Sequence, residues 1–303
     1  MTTAGILFCA TMAVLLAACL LRAVFEPTQL EVTRTCFYQG KDGDLYGCQK
    51  EDPLDAARQG QPDLRILFLS DLHYNRLRVK TERLTVVKGI KPDLLLFGGD
   101  LTECDKDLPL AVEWLTKIRE QCGNPPLVAV PGNHDSDRAL SALKKAGAIV
   151  LQNDCYFFSC RGLSFLIMGL EDKKRTGKDQ EPALPFPAMH RDKINCVSPE
   201  RRLILVHNPD ALLHFPHGQA SLFCAGHFHG GQIWMPFKLE FRLFRHEILP
   251  FIAPYKGCVR WGDLVGYITR GLGCVVIPLR FRSKPELSVL DIFLQDQKDG
   301  PSS

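Results

Sequence analysis

The hydrophobic pattern divides the chain into one long apolar stretch and a series of short ones. From Thr3 to Leu21 there is no charged residue and almost every residue is apolar, a length just sufficient to cross a bilayer as a helix. The following residues mix polar and charged types with Gly and Pro and show no sustained periodicity. We therefore predict an N-terminal transmembrane anchor or signal segment over 1–25, a linker over 26–62, a folded domain over 63–295 and a tail over 296–303.

The first segment has two interpretations. Leu-Ala-Ala-Cys at 16–19 is similar to a bacterial lipobox, which implies cleavage and lipidation at Cys19, but no basic residue precedes the apolar stretch. We favour a retained single-pass anchor and a membrane-associated protein. Because no Lys or Arg stands before the stretch, its orientation depends on Arg22 and Arg34, which favour a cytoplasmic folded domain.

Short apolar runs bounded by turn residues predict buried strands at Leu64–Ser70, Leu94–Phe97, Leu127–Val130, Leu203–Val206 and Leu222–Ala225. Helical patterns lie between several of these runs, at Lys80–Lys88, Leu110–Gln121 and Arg138–Ala146. This alternation predicts an α/β architecture. Later segments are more strand-like and predict a second sheet from Tyr156–Ser159, Leu163–Gly169, Leu264–Thr269 and Leu287–Leu294.

Composition and charge narrow the class of protein. Hydrophobic residues make up 46% and charged residues 23%, which is typical of a globular protein. The net charge of +3 gives no electrostatic basis for generic nucleic-acid binding, so nucleic acid is not an expected partner. The twelve cysteines form no CxxC pair and are typical of buried thiols. Cys36 and Cys48 are the best candidates for a disulfide if their segment faces an oxidising compartment.

Each predicted core strand ends in residue types that bind metals. Seven candidate ligands follow the five strands in chain order, namely Asp71, His73, Asp100, Asn133, His207, His227 and His229. We expect them to converge on the carboxyl edge of one sheet, where open α/β folds place their sites. Carboxylate, amide and imidazole ligands suit manganese, iron or zinc, whereas an all-oxygen set suits magnesium or calcium.

Each of these residues also has a structural interpretation when it is taken alone. A single His such as His207 at a strand end is usually a hydrogen-bonded structural residue, and a Gly-Asn-His triplet can form an Asx turn. Five such clusters at successive strand ends are not expected by chance. Together they favour a metal centre.

The strings DLH, GD, GNHD, H and GHFHGGQ resemble the signature of calcineurin-like metallophosphoesterases over about residues 64–294. The resemblance implies a four-layer αββα sandwich and two divalent metal ions, manganese being favoured over iron or zinc. Asp71, His73 and His229 are then expected to bind one metal, Asn133, His207 and His227 the second, and Asp100 both. Such a pair lowers the pKa of water and stabilises in-line displacement at phosphorus, which implies a phosphohydrolase without a covalent intermediate.

The histidine after Asn133 has two possible roles. His134 resembles the family histidine that reaches the phosphate and protonates the leaving oxygen, a general-acid role. The alternative is a hydrogen bond to a metal-bound carboxylate.

The C-terminal part of the resemblance concerns the substrate. The motifs at 267–273, 278–281 and 285–286 are similar to the membrane-associated YkuE/YaeI branch of the class, which includes hydrolases of UDP-2,3-diacylglucosamine in lipid A biosynthesis. Arg270 and Arg280 in these motifs are expected to bind phosphate bidentately. Phe228 stands where the branch usually has a small Thr, and we expect it to change the shape of the pocket.

The segment 233–245 combines aromatic, apolar and basic residues. It is either an ordinary, partly buried segment or an edge that lies among lipid headgroups and admits an acylated substrate.

Three functions fit these observations. The first is a membrane-bound hydrolase of a lipid pyrophosphate of the UDP-diacylglucosamine type, which releases UMP and a lipid phosphate. The second is a membrane-tethered phosphodiesterase of other or broad specificity. The third is a metal-binding scaffold without activity, which the complete ligand set disfavours. We infer no protein partner.

Overall fold

The computed structural model describes residues 2–49, 60–171, 194–245 and 247–295. The predicted tail, 296–303, lies outside the described residues. Thirteen strands occur in the described part of the chain: β1 (Glu31–Gln39), β2 (Leu45–Gln49), β3 (Leu64–Leu69), β4 (Leu94–Phe97), β5 (Leu127–Ala129), β6 (Ile149–Val150), β7 (Asp154–Cys160), β8 (Leu163–Leu170), β9 (Arg202–Val206), β10 (Leu222–Ala225), β11 (Gly257–Trp261), β12 (Leu264–Ile268) and β13 (Glu286–Phe293).

These strands form two mixed sheets. The first has the order β2-β1-β13-β3-β4-β5-β6, and the second has the order β11-β12-β10-β9-β8-β7. Strands β3 to β6 are parallel to one another in the first sheet, and β8, β9, β10 and β12 are parallel in the second. The carboxyl ends of β3, β4, β5, β9 and β10 are therefore available to carry a site built from both sheets.

The α-helices of the described residues are α1 (Thr3–Phe25), α2 (Leu108–Gln121), α3 (Asp137–Lys145), α4 (Leu239–Phe244) and α5 (Leu249–Ile252). Helix α3 begins directly after the Gly-Asn-His-Asp motif, where the Ser136 hydroxyl accepts from the Ala139 amide at 3.2 Å and caps the helix. The predicted helix at Lys80–Lys88 is a 3-10 helix at Thr81–Val87 instead.

Alternating side chains of the buried strands place three apolar layers between four structural layers. In β3, Leu67 and Leu69 pack with the α2 side, whereas Ile66 and Phe68 pack between the two sheets. The outer face of the second sheet packs against short helical segments that include α4, through residues such as Phe241. This is the predicted α/β fold with an αββα arrangement.

Three sequence predictions differ from this arrangement. Residues 26–62, predicted as a linker, contribute β1 and β2 to the first sheet. The apolar run Leu287–Leu294 forms β13, which lies between β1 and β3 of the first sheet and not in the second. The runs after residue 200 form β9 and β10 of the second sheet and do not extend the first. The pairing of β1 with β13 spans more than 200 residues of sequence, and pairing over such a distance leaves no local pattern.

The register of β1 and β2 places Cys36 opposite Cys48. Cys36 is buried. The side chain of Cys48 lies outside the described residues, so the disulfide stays a prediction.

Helix α1 extends away from the folded domain. Its residues are exposed except for the partly buried Gly5 and for Ala23, which is buried near the C-terminal end, and by length and composition the helix can cross a membrane. The end of the helix is fastened to the loop after β12. The Arg280 amide donates to the Ala23 carbonyl at 3.1 Å, and the buried Glu26 carboxylate accepts from the Ser283 amide.

Candidate metal centre

The structure brings the seven predicted ligands together from both sheets. Asp71 and His73 follow β3, Asp100 follows β4 and Asn133 follows β5, while His207 follows β9 and His227 and His229 follow β10. The expectation of a single sheet edge was wrong, because β9 and β10 belong to the second sheet. The two sheets pack face to face, and the candidate site lies at the carboxyl ends of strands from both sheets.

Asp71, His73 and His229 form the first cluster. One ligand atom of each lies within 4.8 Å of the other two, and all three side chains are buried. Nε2 of His229 lies 3.4 Å from Oδ1 of Asp71. Both ring nitrogens of His73 are buried without a hydrogen-bond partner, which is costly unless something else binds them.

Asp100, His207 and His227 form the second cluster with the same mutual spacing. Nε2 of His207 lies 3.1 Å from Nδ1 of His227 and 3.0 Å from the Asn133 side-chain oxygen. The structure thus places Asn133 with the three residues predicted to share its metal.

Asp100 lies between the two clusters. Its Oδ2 atom is 3.3 Å from Nε2 of His73 in the first cluster and 3.2 Å from Nε2 of His207 in the second. Its other oxygen accepts from the His134 amide at 2.9 Å. From this position Asp100 would be able to bind a cation in each cluster.

The hydrogen bonds behind the second cluster determine the tautomers of its histidines. Nδ1 of His207 lies 2.8 Å from the Gly98 carbonyl oxygen and must donate to it, so Nε2 carries no proton. Nε2 of His227 lies 2.9 Å from a carboxylate oxygen of Glu247, so Nδ1 is unprotonated. Lone pairs of His207, His227, Asp100 and Asn133 therefore face one another, an arrangement that fits a bound cation.

Burial favours the neutral form, which binds metals, in two histidines of the site. It lowers the pKa of His227, and it lowers the pKa of His229 well below the usual value with help from nearby His73 and Arg280. Burial acts in the opposite direction on Asp100, but the facing His207 and His73 outweigh it and hold the pKa of that carboxyl well below its usual range. At neutral pH the Asp100 carboxyl is therefore ionised, and the imidazoles of His227 and His229 are neutral.

The backbone of the site is strained. Five of the seven ligands have positive φ angles, between 36° and 69°: Asp71, His73, Asp100, His227 and His229. Left-handed non-glycine residues are uncommon and cluster at functional sites. The loops also depend on glycine, since a Cβ atom on Gly99, which has φ +95°, would lie 2.4 Å from the Gly132 amide nitrogen.

His134 is the exposed member of the site. Its ring lies edge-on to that of His73, with 5.2 Å between the centroids. Partial burial lowers its pKa. The position suits contact with a substrate phosphate, and general-acid catalysis by His134 stays a prediction.

Sequence reasoning missed two carboxylates that organise the ligands. Asp135, the last residue of the quoted GNHD motif, accepts from the amides of Asp100, Leu101 and Gly132 at 2.8–2.9 Å and joins the loops after β4 and β5. Glu247 supports His227. The adjacency of Asp135 to the motif was an available signal, whereas Glu247 lies 20 residues from His227 with no spacing that indicates the contact.

The two arginines that were predicted to bind phosphate lie close to the site, and both already form contacts with other protein groups. The Arg270 guanidinium is paired with Glu286 at 2.8 Å and with Glu31 at 2.6 Å. Arg280 is fully buried and donates to the carbonyl groups of residues 270, 271, 273 and 283. Phosphate binding by either stays a prediction that requires exchange of these contacts.

Phe228 differs from its expected role. Its side chain is fully buried in the outer core of the second sheet and packs edge-on against Phe241, with centroids 5.8 Å apart. It therefore fills the core behind the His227 loop and does not line an open pocket.

The chain matches the family model of the calcineurin-like phosphoesterases over residues 64–231, a range that contains all seven ligands. The chain belongs to this family. It is 30% identical to phosphodiesterase YaeI of Escherichia coli over 246 residues, 75% of this chain and 82% of the relative. It is 27% identical to metallophosphoesterase YkoQ of Bacillus subtilis over 247 residues, 79% and 86% of the two chains.

A zebrafish transmembrane protein with a metallophosphoesterase domain is 27% identical over 264 residues, 78% of this chain and 55% of the relative. Family membership and the two clusters together make this protein a metal-dependent phosphoester hydrolase with two candidate divalent-metal sites. The prediction of a hydrolase is confirmed at this level.

Proposed function

We propose that this phosphoesterase hydrolyses a phosphodiester or pyrophosphate bond of a lipid-linked substrate at the surface of the membrane in which α1 is anchored. Asp71, His73 and His229 would hold one divalent cation and Asp100, Asn133, His207 and His227 the second; bound there, the pair would supply activation of water and neutralisation of charge on the phosphoryl oxygens. Two side chains contribute the rest of the proposed mechanism. Asp100 orients both clusters, and His134 donates a proton to the leaving oxygen.

The observation that carries the lipid-linked substrate is the contact between α1 and the metal centre. The Ser283 hydroxyl donates to the His229 carbonyl at 2.6 Å, while the Ser283 amide donates to Glu26 at the end of α1. Arg280 donates to Ala23 of α1 through its amide, and its guanidinium lies 3.5 Å from Nδ1 of His229. The end of the apolar helix is therefore two hydrogen bonds away from a metal ligand.

A substrate dissolved in the bulk solution gains nothing from this arrangement, whereas a membrane-embedded substrate is presented close to the clusters. We propose UDP-2,3-diacylglucosamine, or a lipid pyrophosphate of the same kind, with UMP and a lipid phosphate as products. A tethered phosphodiesterase of other or broad specificity is the second candidate, which the 30% identity to a named phosphodiesterase favours.

One experiment separates the two candidates. The full chain, loaded with manganese, is incubated with UDP-2,3-diacylglucosamine in mixed micelles and, separately, with bis-p-nitrophenyl phosphate. Release of UMP that depends on Asp100 supports the lipid pyrophosphate. Cleavage of the aryl diester alone supports the second candidate, and no hydrolysis of either with both metals bound contradicts the proposed activity.

A further inference from the structure

A group of large apolar side chains is exposed on the segment after the GHFHGGQ turn and on the loop before Arg280. We define the apolar rim as Phe237, Leu243, Phe244, Phe251, Val276 and Ile277, whose exposed fractions range from 42% to 83%. Leu243 and Phe244 belong to α4, and Phe251 belongs to α5. Large apolar side chains exposed together on a few segments of a folded domain are typical of an interaction site.

The two most exposed members of the rim are held in strained backbone. Phe237 is 83% exposed with φ 58°, and Val276 is 74% exposed with φ 61°. Val276 is the middle residue of a tight turn in which the Ile277 amide donates to the Val275 carbonyl at 2.6 Å. A β-branched residue such as Val276 is an outlier at positive φ. Burial of its side chain in the core does not offset the backbone strain, because the side chain is exposed.

The surrounding contacts join the rim to the end of α1. The Gln232 side chain donates to the carbonyls of Val275 and Ile277, and the Gln232 carbonyl accepts from the Phe281 amide at 2.8 Å. The Arg22 guanidinium of α1 lies 5.2 Å from the centroid of the Phe281 ring. One loop, 275–283, therefore contacts both the apolar helix and the segment that leads to Phe237.

Basic residues accompany the apolar side chains. The Lys238 ammonium, just before α4, donates to the Pro250 carbonyl of α5. The Arg242 guanidinium lies 5.9 Å from the centroid of the Phe251 ring. Arg282 lies 4.4 Å from the centroid of the Trp234 ring. Apolar residues that are bordered by Lys and Arg and by an aromatic ring suit the headgroup zone of an anionic leaflet.

We infer that the apolar rim is a second membrane-contact surface, which inserts Phe237, Phe244 and Val276 into the same leaflet that α1 enters. The inference rests on the proposed anchoring of α1 and adds to it a fixed orientation of the metal centre on the bilayer. A bilayer is the occupant because the helix that is fastened to the rim is itself apolar on all sides.

Photo-crosslinking of the full chain tests the inference. The photoreactive residue p-benzoyl-phenylalanine replaces Phe237, Phe244 or Val276 in separate variants, which are reconstituted into vesicles of phosphatidylglycerol and phosphatidylcholine and illuminated. The matched control is the same replacement at Phe157, which is 39% exposed on the edge strand β7. We expect lipid adducts at the three rim positions, at least about tenfold more than at Phe157, since only a side chain below the headgroups meets acyl chains.

The other outcomes each overturn the inference in a distinct way. Adducts to a second protein chain show that the rim is a protein-docking surface. Equal lipid adducts at all four positions show that the rim has no preference for the bilayer. Failure of the chain to sediment with vesicles removes the anchor as well, and the separate hydrolysis assay with bis-p-nitrophenyl phosphate reports whether the proposed activity survives that failure.

Discussion

Nε2 of His227 lies 2.9 Å from a carboxylate oxygen of Glu247, while Nδ1 of the same ring lies 3.1 Å from Nε2 of His207. The carboxylate therefore determines which nitrogen of His227 is available to the second cluster. It also raises the basicity of that nitrogen, since the imidazole donates its other proton to a negative charge. Glu247 is buried, so little water competes for the contact.

Removal of this support is expected to weaken metal binding. Glu247→Ala should lower the affinity of the second cluster for manganese by up to about 100-fold, and Glu247→Gln, which can still accept from the imidazole, by roughly 10-fold. Calorimetric titration of the metal-free protein measures both. Glu113→Gln, on the exposed face of α2, is the matched control. Equal affinity in all three variants would show that Glu247 does not position His227.

Loss of the shared carboxylate should affect both clusters. Asp100→Ala is expected to lower the metal content below that of a variant that has lost a ligand of one cluster only, such as His73→Ala, because Asp100 contacts both clusters. Elemental analysis after dialysis gives the number of metals per chain. Asp44→Ala, an exposed substitution, should retain the wild-type content. A full complement of metal in Asp100→Ala contradicts the bridging assignment.

A general acid affects turnover without affecting metal content. His134→Ala should retain its metals and, with leaving groups that depart only when protonated, lose at least about tenfold in kcat. The loss should be small for a p-nitrophenol leaving group, which departs without protonation, and larger for an alkyl alcohol. Comparison of kcat across diesters of increasing leaving-group pKa measures this difference. A uniform loss across the series points to the alternative, in which His134 only supports a metal-bound carboxylate, and unchanged turnover refutes both.

Acid should weaken the fold through Glu286, which is not one of the candidate metal ligands. Burial opposes ionisation of this carboxyl, but Arg270 and hydrogen bonds from Thr33 and Tyr267 outweigh it and lower its pKa. Because the folded pKa lies below the unfolded one, Glu286 stabilises the fold above its unfolded pKa of about 4.3, and this contribution is lost as the pH falls through the folded value.

The matching variant is Glu286→Gln, which leaves a partly buried Arg270 charge with one fewer carboxylate. We expect a cost of about 3 kcal/mol at pH 7. Urea unfolding at a series of pH values should show the gap between wild type and variant narrowing below about pH 4. A gap that is independent of pH shows that the loss comes from packing and not from charge.

The ligands were predictable from the sequence because each follows a short strand, and the apolar residues of that strand form a recognisable local pattern. Asp71, Asp100 and Asn133 come directly after β3, β4 and β5, and a few glycines around them indicate tight turns. The assignment of strands to sheets was not predictable in the same way. Whether His207 follows a strand of the first or of the second sheet depends on pairing between distant segments, which a period of two residues does not specify.

The roles of the residues that surround the ligands were harder to predict from the sequence. Arg280 was predicted to bind phosphate because a cationic side chain in a motif suggests an anionic ligand. In the structure its guanidinium donates to backbone carbonyls, a use that composition and spacing do not distinguish from phosphate binding. Glu31 and Glu286 pair with Arg270 across 239 and 16 residues of sequence, and neither contact has a local signal.

The hydrogen bonds between the end of α1 and the loop at Ser283 limit how the domain can move once the helix is embedded. A domain on a flexible tether can rotate in all directions and can meet substrates that diffuse in the bulk solution. With the lipid-linked substrate proposed above, a domain fastened at Ala23 and Glu26 would meet its substrate by lateral diffusion, so its rate should follow the mole fraction of substrate in the bilayer and not the bulk concentration. Dilution of the lipid with an inert carrier should then slow hydrolysis, even when the total amount of substrate is unchanged.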